Sequence, residues 1–102
     1  MDIINQHTET KASIETELKK MIVEVIGEDF ITENEISTED TFTDGLEMES
    51  IEIVQFADLV KSQYGEKADL TTWLSDMGLE KIIDLKLQEV IDFIEHEITM
   101  HN

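Results

Sequence analysis

Apolar residues in this chain recur three and four positions apart, and no stretch alternates apolar with polar residues as a half-buried strand does. That spacing restricts the fold to packed helices. Ile14, Leu18, Met21, Ile22 and Val25 share one arc of a helical wheel and predict a first helix over 12–26, ending at Gly27, a residue suited to a helix C-terminus. Ile53, Phe56, Ala57, Val60 and Tyr64 predict a second helix over 50–65 with those five side chains facing a core. Leu70, Trp73, Leu74 and Met77 mark a short third helix before Gly78, followed by a brief turn through Leu79, Ile82 and Ile83. In the last helix Leu87, Val90, Ile91, Ile94 and Ile98 lie on a narrow arc, with Lys86, Glu89, Asp92, Glu95 and Glu97 outside it. The expectation is an all-α, four-helix domain in which three longer helices surround one core and a short third helix closes a side.

Proline is absent, and the four glycines fall between these periodic segments. Residues 28–48 carry acids, threonines and scattered apolar anchors, Phe30, Ile31, Ile36, Phe42 and Leu46, and predict a long loop pinned to the core. At 102 residues the chain matches one domain, expected over 11–98, with a flexible N-terminal tail over 1–10 and a C-terminal tail over 99–102. The longest apolar runs, such as Met21-Ile22-Val23, fall far short of the roughly 20 residues a membrane helix needs. The first residues lack the basic start and apolar stretch of a secretion signal, so a cytoplasmic location is expected.

The absence of cysteine removes disulfides and any thiol chemistry by the chain's own side chains. Twenty-five acids against seven lysines, with no arginine, give a formal charge of -18. Nucleic-acid binding is not expected from such a surface; basic protein surfaces are its natural partners. His7, His96 and His101 sit towards the chain ends and read as solvated, and the Glu47 and Glu49 carboxylates read as part of an acidic face. Asp40-Thr-Phe-Thr-Asp44-Gly45 begins like a calcium loop, but Phe42 and Ile51 fall where that loop needs oxygen ligands. No phosphate-binding glycine loop, nucleophile elbow or zinc-helix motif occurs, so neither an enzyme nor a metal site is expected. Tyr64 and Trp73 read as core aromatics.

The segment over 42–52 stands apart. Ser50 opens a helix after a long acidic loop, with Glu52 near the positive end of the helix dipole, so local sequence alone makes Ser50 an N-cap. Ile51 and Val54 lie off the buried arc of that helix. Phe42 eight positions before the serine, then Leu46, an acid immediately before the serine and a branched aliphatic residue immediately after it, resemble the attachment-site motif of acyl carrier proteins. Downstream, Ile51-Glu52-Ile53-Val54-Gln55-Phe56-Ala57 through Tyr64-Gly65 is similar to that family's second helix, and Leu87 to Ile94 to its last. The likeness spans roughly 12–98.

The resemblance implies a monomeric four-helix bundle of acyl-carrier-protein type with no catalytic residues of its own. It implies a 4'-phosphopantetheine arm, donated by coenzyme A, on Ser50, holding an acyl, aminoacyl or polyketide intermediate as a thioester. Implied partners are a phosphopantetheinyl transferase and acyl-loading, acyl-transfer or condensing enzymes with basic docking surfaces. Glu49, Ile51, Glu52, Val54 and Asp58 are the expected docking residues, and Ile53, Phe56, Ala57, Val60 and Val90 the expected lining of a slot for the acyl chain. The chain departs from the family's usual pattern of aspartate before the serine, leucine after it and glycine three positions before it. Here those positions hold Glu49, Ile51 and Glu47, and Gly45 lies two positions too early to substitute. The longer connection after Tyr64, with its own helix, marks a specialised carrier. The alternative is an acidic helical adaptor or decoy that binds a basic partner through charge alone, without a prosthetic group.

Overall fold

The periodic segments form helices in the computed structural model, which describes residues 11–100. The segments 1–10 and 101–102, and with them His7 and His101, lie outside the described residues. Five α-helices follow in order: α1 (Lys11–Ile26), α2 (Ser50–Tyr64), α3 (Leu70–Met77), α4 (Leu79–Ile83) and α5 (Leu87–Met100), with single 3-10 turns at Glu33–Glu35 and Glu66–Ala68. Among the described residues there is no strand, only an isolated antiparallel bridge between Thr41 and Lys86.

Helix α1 packs against both α2 and α5, α3 lies against α2, and the Glu66–Ala68 turn fits between α2 and α5. The expected arcs supply the core: Ile14, Leu18 and Ile22 from α1, Phe56, Ala57 and Val60 from α2, and Leu87, Val90, Ile91 and Ile94 from α5 are fully buried. No charged or polar residue among those described is buried.

Three expectations change. The brief turn after Gly78 is a helix of its own, α4, which makes five helices where four were expected. Gly78 at φ 91° breaks the axis of α3, and the Lys81 and Ile82 N–H groups donate to its carbonyl to start a new turn. Phe30, expected as an anchor of the long loop, is 81% exposed, whereas Ile36, Phe42 and Leu46 are buried as anchors and Met48 joins them. Tyr64 and Trp73 are half-buried at the edge of the core, Trp73 stacked on Phe93.

The long loop is held by backbone as well as by apolar anchors. Phe42 N–H donates to Leu85 O, Leu87 N–H to Asp40 O and Gln88 N–H to Thr38 O, so the loop runs antiparallel to the lead-in of α5. The Thr43 hydroxyl donates to Ile83 O at 2.7 Å, and Lys86 pairs with Glu39 at 3.1 Å. Phe42 then packs its ring against Phe56 of α2, with centroids 5.4 Å apart. This tie fixes the approach of the chain to α2 and therefore the position of Ser50.

Candidate functional site

The approach to Ser50 is a locked turn. Leu46 N–H donates to Thr41 O and Met48 N–H to Phe42 O, each at 2.8 Å, while Gly45 N–H donates to the Thr41 hydroxyl at 2.9 Å. Phe42, Leu46 and Met48 bury their side chains beneath this turn. Glu47 stands at φ 56°, the only non-glycine residue among those described in the left-handed region. The departure from glycine three positions before Ser50 therefore changes the side chain at a point where the backbone keeps a glycine-like conformation.

Glu49, and not Ser50, is the N-cap of α2. Its backbone is extended (φ -83°, ψ 164°), its carbonyl accepts the first helical bond from Ile53 N–H, and its own N–H donates to Glu52 Oε1 at 2.8 Å. Ser50 is thereby the first helical residue. With the cap position filled by Glu49, the Ser50 side chain is exposed and its hydroxyl has no hydrogen-bond partner among the described residues. It sits in the first turn, where N–H groups lack helical acceptors.

Ser50 lies on the rim of an apolar groove of about 220 Å³ between α2 and α3. Ile53, Val54 and Ala57 of α2 form one wall, Leu74 with the hydroxyl-bearing Thr71 and Ser75 of α3 the other, and Ile82 of α4 closes one end. Beneath it, Ile53, Leu74 and Ile82 also border a void of only about 10 Å³ against Phe42, Phe56 and Val90. That is about the space of one water, so the groove has a filled floor.

Of the five expected slot residues, Ile53 and Ala57 line the groove, Phe56 and Val90 form its floor with Ile53, and Val60 is fully buried and borders neither space. Sequence reasoning missed Thr71, Leu74, Ser75 and Ile82 as lining. The spacing of 71, 74 and 75 on one helical face was the available signal, but nothing in it indicated that this face meets Ser50.

The expected docking residues separate into two groups. Ile51 and Val54, 65% and 54% exposed, form a helical stripe with the exposed Asp58. Glu49 and Glu52 turn instead to a second cleft, which they line with Glu47 and Phe30. Among the described residues no group of histidine, cysteine or acidic side chains is arranged to hold a metal ion. No helix of those residues is long and apolar enough to cross a membrane. Comparison with protein-family models, with characterised proteins and with solved structures gives no match.

Proposed function

We propose that this protein is a carrier whose Ser50 Oγ bears a 4'-phosphopantetheine arm, and that the bundle is of the acyl-carrier type with α4 as an added turn. The observation that supports this most is the exposed, unbonded Ser50 hydroxyl in the first turn of α2, at the mouth of an apolar groove. In the attachment, the Ser50 oxygen attacks the β-phosphorus of coenzyme A. The new P–O bond forms as the bond to 3',5'-adenosine diphosphate breaks, and the hydroxyl proton passes to a base on the transferase. The phosphodiester then lies beside free helix N–H groups and the positive end of the α2 dipole. Glu47, Glu49 and Glu52 oppose a free anion here, but a covalent tether needs no binding affinity to stay in place.

The arm brings the thiol that the chain lacks, and the thioester chemistry belongs to it and to partner enzymes. Ile51 and Val54 offer those enzymes an apolar contact, and Glu49, Glu52 and Asp58 offer charge for a basic face, which makes the encounters brief and salt-sensitive. The groove gives the carried group apolar shelter. Its volume lies below the roughly 300 Å³ of typical small-molecule pockets, which suits a short chain.

The test is intact-mass spectrometry after incubation with coenzyme A, magnesium and a broad-specificity phosphopantetheinyl transferase. One arm is expected on the wild type and none on Ser50→Ala, which keeps its stability within about 0.5 kcal/mol because the hydroxyl is exposed and makes no hydrogen bond among the described residues. Failure to form an adduct with several transferases would overturn the carrier reading in favour of an acidic adaptor.

A further inference from the structure

Helix α3 borders two separate depressions. Thr71, Leu74 and Ser75 border the groove at Ser50, while Trp73 and Asp76 project the other way, into a cleft of about 490 Å³ between α3, α5 and the Glu66–Ala68 turn. The floor of that cleft is a stacked aromatic pair: Trp73 and Phe93 have ring centroids 4.3 Å apart and planes within 10°. Both rings are half-buried, so the pair keeps surface open to the cleft. Four acidic residues stand around it: Glu66, Asp69, Asp76 and Glu97. Asp69 is held in place by Thr72, whose N–H and hydroxyl donate to its two oxygens at 3.2 and 2.8 Å.

We propose that this cleft receives an arginine side chain of a basic protein partner, its guanidinium stacking on the face of Trp73 that Phe93 does not cover and its N–H groups directed at the surrounding carboxylates. A cation over an aromatic face is attracted by the ring quadrupole. Planarity and weak hydration favour guanidinium over ammonium at such a place, and its fork matches carboxylates arrayed at the edge of a flat surface. The charge is complementary: the ionisable side chains that line the cleft, Glu66, Asp69, Asp76 and Glu97, are all acidic. Lys61 of α2 acts weakly on Asp69 from outside the cleft. The chain has no arginine anywhere, so it cannot fill the cleft from its own sequence. The cleft shares no residue with the groove at Ser50, and the inference stands whether or not Ser50 carries an arm.

Trp73 is the only tryptophan, so its emission reports directly on the cleft. The full chain is titrated with a short blocked peptide containing two arginines and with its lysine and citrulline counterparts. A saturable change in emission is expected with the arginine peptide, about tenfold tighter than with lysine, and none with citrulline. Glu66→Gln with Asp76→Asn, both at exposed positions, is expected to weaken binding several-fold with no loss of Tm, and Ser50→Ala to leave binding intact. Equal binding of the lysine and arginine peptides, or full binding by the double variant, overturns the proposal, because the overall charge of the molecule then explains the effect.

Discussion

Glu47 pays for its place in the left-handed region, where an L side chain crowds the backbone at a cost of about 1 kcal/mol. Its side chain is exposed and has no hydrogen bond among the described residues to offset that cost. Glu47→Gly is therefore expected to stabilise the fold slightly, by up to about 0.5 kcal/mol, the strain relieved outweighing the extra freedom gained by the unfolded chain. The urea midpoint measures this, and a loss of stability contradicts it. Ser50 carries a related lesson. Read alone, a serine at a helix start is a cap, but Glu52 reaches back to the Glu49 N–H and moves the cap one residue upstream. One residue of register separates a serine whose hydroxyl is used by the backbone from one whose hydroxyl is free.

Among the elements, the turn before α2 depends on close approach. A Cβ on Gly45 would sit 2.9 Å from both the backbone N and O of Thr41, and two hydrogen bonds, from Gly45 N–H and Leu46 N–H to Thr41, hold the turn there. Gly45→Ala is expected to destabilise by about 1–3 kcal/mol, as forced overpacking does, and a thermal melt at the wild-type midpoint contradicts that close approach. Helix α3 depends on Asp69, whose pKa is lowered below 3.8 chiefly by the Thr72 hydroxyl and then by its N–H. A depressed carboxylate stabilises the folded state above its ordinary pKa, and that contribution is lost as pH falls through the lowered value. The Tm difference between wild type and Asp69→Ala should be constant above about pH 5 and shrink in acid; a difference that grows in acid contradicts this assignment. Helices α1, α2, α3 and α5 were legible because their apolar arcs repeat. Five residues are too few for α4 to show a period, so its sequence read as a turn. In the long loop no period exists to say which way a side chain faces, which is why Phe30, expected as an anchor, is exposed and Met48, not named as one, is buried. The backbone tie to the start of α5 joins residues far apart in sequence and left no local signal.

At the scale of the whole molecule, charge is the main opposing force. The chain carries a formal charge of -18, and its described residues form a body of 41 × 31 × 21 Å. The ion pairs of Lys11, Lys19, Lys20 and Lys86 with nearby acids lie at the surface, where each contributes at most about 1 kcal/mol. At 0.01 M salt the screening length of about 30 Å is comparable with the molecule itself, and at 0.15 M it falls to about 8 Å. Added sodium chloride should therefore raise Tm across this range, since more repulsion than attraction is screened; a falling Tm would show that the ion pairs dominate. The placement of α3 decides how much of the site could be read. The serine, its acidic neighbours and the exposed Ile51 and Val54 follow from one helix's sequence, whereas the groove and the aromatic cleft each need α3 placed between neighbours, which no local pattern specifies. The central claim, that Ser50 is an attachment point, is tested most directly by the intact mass of the protein purified from its native cells during growth, with peptide mapping of the modified residue. The carrier account predicts a mass increase of one phosphopantetheine arm, with or without a carried group, confined to Ser50. An unmodified mass throughout growth, or a modification at another residue, contradicts it.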